Sequence, residues 1–250
     1  MLRRKKNSYL ASVLLVIAIF SIHAAAQDKD ITNEYRLTAV SAIPINKKWI
    51  AWQYSMLLTS SDKGVTTIAL SPPGIIYKPK DWLELWAGML PTYNNYYHTS
   101  NSWELRPLGG FRVYLPNEKK VNIYNFARYE YKFIYQNHNT STIPRFRDRT
   151  GIEIPLAKGD NRWKPGTFYA AGDVEPIWRL DDKFMEKLRV RGTLGYIVKK
   201  RLSVEFIYHA EFSGPKGEPK KFTGNIWRLN FKLLFPRGKS LSWRSQGSGS

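Results

Sequence analysis

Twelve charged side chains recur at alternate positions along extended segments. They are Glu104, Arg106, Arg112, Arg128, Glu130, Arg147, Glu153, Glu175, Arg189, Arg191, Glu205 and Arg228. Arginine carries a planar fork of N–H donors that suits oxyanions, and it stays charged at any physiological pH. Gathered on one face, these residues can neutralise one another as an ion-pair network. Where arginine is in excess, they can instead form a passage that favours anions. His209 lies on the same kind of polar face, two residues before Glu211, and reads as a satisfied interior histidine. The sequence has no metal-ligand cluster, phosphate-binding loop or nucleophile elbow, so neither metal nor cofactor is expected.

The spacing of the charges dictates the elements that carry them. In residues 187–212, Leu188, Val190, Gly192, Leu194, Tyr196 and Val198 alternate with Lys187, Arg189, Arg191 and Thr193. After the basic break Lys199-Lys200-Arg201, a second run alternates Leu202, Val204, Phe206, Tyr208, Ala210 and Phe212 with polar residues. Period two means strands, each with one apolar and one polar face. About ten residues per strand is enough to cross a bilayer at a tilt. A soluble β-sandwich shows the same alternation with its apolar face inward.

The ends of the chain favour the membrane. Arg3-Arg4-Lys5-Lys6, an apolar stretch over 10–20 and Ala24-Ala25-Ala26 form a secretory signal peptide, expected over 1–26. There is no cysteine, hence no disulfide and no lipid-anchored cysteine, and no later run is long enough for a membrane helix. The formal charge is +19, from 39 Lys+Arg against 20 Asp+Glu. Export argues against a nucleic-acid partner. It points instead to anionic lipid headgroups or a cationic lumen. The 9 Trp, 15 Tyr and 12 Phe could supply aromatic girdles at both membrane interfaces.

The alternation recurs along the chain over 35–43, 49–60, 65–77, 82–97, 103–115, 121–136, 145–156, 167–178, 187–198, 202–212 and 224–235. Pro72-Pro73-Gly74 should kink or bulge the third segment, because proline cannot donate to a ladder. The eleven segments are one away from an even count, which a chain beginning and ending in the periplasm requires. Ten or twelve strands are therefore expected, with the longer connections, after the even-numbered segments, on the outside. The fold expected is an all-β, closed antiparallel transmembrane β-barrel of 10–12 strands over 27–235, followed by a tail, 236–250. In the last segment Trp227, Leu229, Phe231, Leu233 and Phe235 share the apolar face. An alternating terminal strand ending in Phe resembles the signal read by the assembly machinery of bacterial outer-membrane barrels. Trp227, Phe231 and Phe235 are its candidate residues, although fifteen residues follow Phe235.

Trp103-Glu104-Leu105-Arg106-Pro107, Asn125-Phe126-Ala127-Arg128-Tyr129-Glu130 and Arg145-Phe146-Arg147-Asp148-Arg149, in that order, resemble successive strands of domain of unknown function 2490. Asn46-Lys47-Lys48-Trp49 and Leu194-Gly195-Tyr196 fit the same pattern. The resemblance implies a barrel in the outer membrane of a Gram-negative envelope, and no chemistry. Its partners would be outer-membrane lipids, the barrel-assembly machinery and, for a porin-like passage, small anionic solutes. A second resemblance is confined to His98-Thr99-Ser100-Asn101. Outer-membrane phospholipase A and the lipid A deacylases carry a His-x-Ser-Asn element, which would make His98 a base, Ser100 a nucleophile and Asn101 their neighbour. The reading from sequence is thus a non-enzymatic barrel, structural or a narrow channel, with a lipid hydrolase as the alternative.

Overall fold

A computed structural model describes residues 31–60, 64–115, 121–157 and 163–234. The expected signal peptide, the tail and Phe235 lie outside the described residues. The strands are β1 (Thr32–Pro44), β2 (Trp49–Ser60), β3 (Val65–Leu70), β4 (Gly74–Lys80), β5 (Leu83–Tyr96), β6 (Ser102–Leu115), β7 (Asn122–Gln136), β8 (Asn139–Pro155), β9 (Phe168–Arg179), β10 (Phe184–Lys199), β11 (Leu202–Ser213) and β12 (Lys221–Leu234). They form one sheet that closes on itself as a barrel.

β3 and β4 are two halves of one stave, because both pair with β2 on one side and β5 on the other. Between Ala69 and Ile75 the chain takes one residue more than Met56–Ala51 or Thr92–Ala87 beside it. The expected kink is thus a β-bulge, placed where Pro72 and Pro73 have no N–H to offer a ladder. Ser71 ties it to β2, its N–H donating to the Tyr54 carbonyl at 2.8 Å and its hydroxyl accepting from the Tyr54 N–H at 2.7 Å. One extra residue switches the inward phase. Val65, Thr67 and Ala69 are buried before the bulge, and Ile76 and Lys78 after it.

Eleven staves therefore make the wall. Consecutive staves pair antiparallel, and the barrel closes through a parallel pair, β1 with β12, in step from Thr32↔Gly224 to Ala42↔Leu234. This corrects the expectation that one segment was spurious or missing. Side-chain alternation reports which face a residue occupies and carries no information on strand direction, so parity could not be read from it. Asn137 and His138, with φ of 50° and 62°, make a two-residue turn, so β8 begins at Asn139, ahead of the segment expected over 145–156. The longest connection, residues 156–167, joins β8 to β9 on the rim opposite the one expected to carry the longer loops.

The apolar faces point outward. Leu37, Leu57, Ile68, Val190, Phe206 and Leu229 are among many large apolar side chains left exposed. Aromatic pairs flank this band on the outer surface. Trp49–Tyr77 and Phe168–Tyr196 lie toward one rim, with centroids 4.5 and 4.7 Å apart, and Tyr93–Trp103 and Phe146–Trp178 lie toward the other, at 4.8 and 5.7 Å. The inward faces are rich in polar groups. Glu130, Glu175, Thr38 and Asn230 are all at most 2% exposed.

A transverse belt fixes the closing seam from inside. Tyr169, Gly195, Glu205, Asn230 and Thr38 are successive cross-strand partners on β9, β10, β11, β12 and β1. Gly195 leaves room for the Tyr169 ring to cross β10, and the Tyr169 hydroxyl donates to Glu205. Asn230 Nδ2 donates to Glu205 Oε2 at 2.7 Å, and Thr38 Oγ1 donates to Asn230 Oδ1 at 2.7 Å. A Cβ at Gly195 would lie 2.0 Å from Tyr169 Cζ. Gly195→Val should therefore displace the ring and destabilise the barrel by roughly 1–3 kcal/mol, the usual cost of overpacking. Adding Tyr169→Ala should relieve the clash without restoring full stability, because Glu205 still lacks its phenol. Urea unfolding in detergent, followed by tryptophan emission, measures both variants. An unchanged midpoint for Gly195→Val would contradict the packing described.

Candidate functional site: the charged lumen

The inward faces of β6–β9 carry a branched ion-pair ladder. Lys132 Nζ lies 2.7 Å from Glu104, which also holds Arg106. Arg106 reaches Glu130 at 3.8 Å, and Glu130 takes Arg128 at 2.6 Å and Arg147 at 3.1 Å. Arg147 goes on to Glu175 at 2.7 Å, and Arg149 meets the other Glu175 oxygen at 2.8 Å. Every link joins residues on one strand or on neighbouring strands, which the alternation places side by side. Three carboxylates thus hold five cations together. Removing a carboxylate from such a buried group leaves charges with neither water nor partner.

A second group lines β10–β12 and β1. Arg191 pairs with Asp173 at 2.5 Å, Arg189 and Lys187 share Glu211 at 2.7 and 2.6 Å, and Lys232 meets Glu205 at 2.5 Å. Arg228 donates to neutral oxygens, Nε to Thr38 Oγ1 at 2.8 Å and a terminal nitrogen to Asn230 Oδ1 at 3.2 Å. A third group is aromatic. The Trp52 and Trp86 centroids are 5.6 Å apart, and those of Trp86 and Phe126 are 5.3 Å apart. The Arg112 guanidinium sits 4.7 Å from the Trp86 centroid and 4.6 Å from that of Phe126, a cation–π arrangement. Gly74 and Gly88 make this cluster possible, since a Cβ on either would come within 2.5 Å of the Trp52 indole.

The three groups surround one central cavity of about 470 Å³. All twelve charged residues singled out from the sequence border it. Ten arginines and Lys232 face it against six carboxylates among the described residues, so the lining is cationic. Sharing of Glu130 and Glu175 is how the wall tolerates that imbalance. Outside the wall, in the β9–β10 turn, the Arg179 hydrogen bonds hold the Asp181 carboxyl below its ordinary range. That pair is exposed and adds little to stability.

Several participants escaped the candidate set. Arg36 and Asp173 sit on alternating faces and were legible as polar. Lys78 pairs with Glu84 at 3.7 Å, and its inward phase depends on the β3–β4 bulge. His209 corrects the expectation of a satisfied histidine. It is 2% exposed, and neither ring nitrogen has a hydrogen-bond partner among the described residues.

The remaining candidates lie elsewhere. His98, Ser100 and Asn101 are exposed in the β5–β6 connection at the rim. Asn101 is committed to the fold: Oδ1 accepts from the Tyr96 N–H at 3.1 Å, and Nδ2 donates to the Tyr93 hydroxyl at 2.7 Å. The Ser100 carbonyl accepts from Gln136 Nε2 at 2.6 Å. Among the described residues, no hydrogen bond links the His98 ring to the Ser100 hydroxyl. On the outer surface of β12, Trp227 stacks on Tyr208 and Phe206, with centroids 4.7 and 6.0 Å away.

Glu130→Gln removes the carboxylate that holds Arg106, Arg128 and Arg147 together. We expect a loss of roughly 3–5 kcal/mol, the range for breaking a buried ion pair. Adding Arg147→Met removes one stranded charge and should recover part of that loss. Urea midpoints of the two single variants and the double variant measure the coupling, and strictly additive effects would rule out a shared network.

Comparison with known proteins supplies a family. No curated protein matches the chain at a significant level. A family model described as a protein of unknown function, DUF2490, matches residues 29–219, from before β1 into the connection that precedes β12. This match covers most of the chain and leads to one identification: the chain belongs to the DUF2490 family.

Proposed function

We propose that this protein is an outer-membrane β-barrel, exported by its N-terminal signal, whose lumen is a narrow passage favouring small anions and performs no catalysis. The observation that carries this reading is the inverted surface, with large apolar side chains outside and ionised ones inside. Such an exterior suits hydrocarbon, where each exposed Arg or Lys at mid-bilayer would cost roughly 2–4 kcal/mol. Aromatic pairs near both rims suit the two interfaces. Lipids are then the partner of the outer face. The apolar face of β12, with Trp227 and Phe231, together with Phe235 that follows it in the sequence, is the part offered to the barrel-assembly machinery.

The excess of arginine over carboxylate around the cavity supports anion preference, since rings of Arg or Lys favour anions in pores. The bore should be small. Eleven staves make a barrel wider than the eight-stranded kind that side chains fill, and well short of sixteen-stranded porins. The rim position of His98 and Ser100, with no bond between them, gives the hydrolase alternative no support from geometry.

Two measurements test the reading. In membrane fractions the protein should migrate differently on gels with and without boiling. Recovery as a soluble monomer with no such shift would sink the membrane assignment. In planar bilayers, conductance steps should be small, and reversal potentials in a salt gradient should indicate anions. Neutralising Arg189 and Arg191 together should weaken that preference, whereas large cation-selective steps would refute the lumen assignment. Fatty-acid release from phospholipid or lipid A, abolished by Ser100→Ala, would replace this proposal with the hydrolase reading.

A further inference from the structure

The register at the closing seam sets two arginines against each other, and a nearby strand pair sets an arginine against a histidine. Arg36 on β1 is the direct cross-strand partner of Arg228 on β12, and Arg191 on β10 is the direct partner of His209 on β11. Like charges directly opposite one another destabilise a sheet. Elsewhere in the lumen such a pair is bridged. Arg128 and Arg147 are also direct partners, and Glu130 contacts both, at 2.6 and 3.1 Å. At the Arg36–Arg228 pair no carboxylate contacts both guanidinium groups among the described residues. Glu34 contacts Arg36 at 2.5 Å from two residues along the same strand, and Asp173 contacts Arg191 at 2.5 Å from β9, across β10 from His209. Arg228 has no ion pair among the described residues. Its two hydrogen bonds go to Thr38 and Asn230, which fix the orientation of the guanidinium.

The His209 ring is a second, independent sign. It is 2% exposed, borders the central cavity and leaves both ring nitrogens without a partner among the described residues. Buried polar groups nearly always find a partner, and those that do not call for an explanation. The charged groups acting on the ring most strongly are Arg191, Arg36, Arg228 and Arg189, from β10, β1 and β12. On its own strand, Glu205 is held by Lys232, Asn230 and Tyr169, and Glu211 by Lys187 and Arg189.

We infer that the lumen holds a specific binding site for a small oxyanion between Arg36, Arg228, Arg191 and His209. Guanidinium forks match the paired oxygens of phosphate, sulfate or carboxylate far better than they match a spherical halide. A tetrahedral phosphoryl group suits the site best. Its several oxygens can bridge three arginines while one accepts from the His209 N–H. The second imidazole nitrogen can accept the proton of a monoprotonated phosphate. The ligand is thus inorganic phosphate or the phosphoryl end of a small organic phosphate. The inference rests on the passage reading above, and makes that passage one with a selective station along it.

The full chain, purified in detergent and shown to be folded by its boiling-dependent gel mobility, is titrated calorimetrically with sodium phosphate, glycerol phosphate and sodium chloride. Saturable binding of either phosphate, with none for chloride, is expected. Tighter binding of inorganic phosphate identifies the free ion as the ligand, and tighter binding of glycerol phosphate identifies an organic phosphate. Arg228→Gln and His209→Leu should each weaken binding at least tenfold. Arg179→Gln, which breaks the exposed pair with Asp181 outside the wall, should leave it within twofold. Should Arg228→Gln fail to fold, Arg36→Gln serves in its place, since its guanidinium has no role in the seam belt. Absence of saturable binding, or equal binding by the folded variants, overturns the site. Because binding is read in detergent and conduction in bilayers, a barrel that conducts without binding phosphate refutes only this inference. A protein that binds phosphate yet neither inserts nor conducts refutes only the passage.

Discussion

An apolar exterior forces the rest of this structure. Once alternate residues of eleven staves present leucine, valine, phenylalanine and tyrosine outward, every arginine and glutamate between them must turn in. The interior then mixes buried aliphatic side chains, such as Ile76, Ile177 and Ile226, with many polar ones. It is held by ion pairs, hydrogen bonds across neighbouring strands and one cluster of stacked rings. Large apolar side chains face the surroundings of the barrel, and specificity of shape belongs to the charges inside. Exchanging a buried glutamate such as Glu130 for glutamine therefore acts on the framework itself.

The wall meets its surplus of positive charge in two ways. Across β6–β9 it divides each carboxylate among several guanidinium groups, so that Glu130 serves three arginines and Glu175 serves two. Around the seam it uses neutral oxygens from Thr38 and Asn230 to orient Arg228. Both solutions need the register to be fixed, because a slip of one residue would turn a whole strand inside out. Gly195 and Tyr169 help fix it. A ring that crosses a neighbouring strand fits over a glycine, and of the two glycines in β10 only Gly195 is on the buried face.

How much of this was legible in the sequence depends on what alternation can encode. Residues 187–212 showed both faces of β10 and β11, and Arg189, Arg191 and Glu205 followed directly. Pro72-Pro73 announced an irregularity, yet its consequence, the phase switch that turns Lys78 inward, needed the residue count of both neighbouring strands. The direction of closure was invisible, because period two is the same read forwards or backwards. The role of Gly195 was hidden as well. A glycine on an alternating face looks like a gap until the side chain lying across it is known. For His209, sequence could say that it faced the lumen. Which groups stand near it is a matter of pairing with residues just under twenty positions away, such as Arg191 and Arg228, or at the far end of the chain, such as Arg36.

If the barrel spans a bilayer, as proposed above, its parallel seam bears on how the chain enters it. β1 and β12 run the same way, so the wall begins at one rim and finishes at the other. A wall made only of hairpins can enter from one side, each hairpin leading with its turn and leaving both its ends behind. With eleven crossings one strand has no such companion, and a terminus must be threaded through the membrane ahead of it. Whichever end travels, the peptide attached to it becomes cargo of the folding reaction. A bulky, stably folded domain fused to that end should stall assembly, while the same domain on the other end should not.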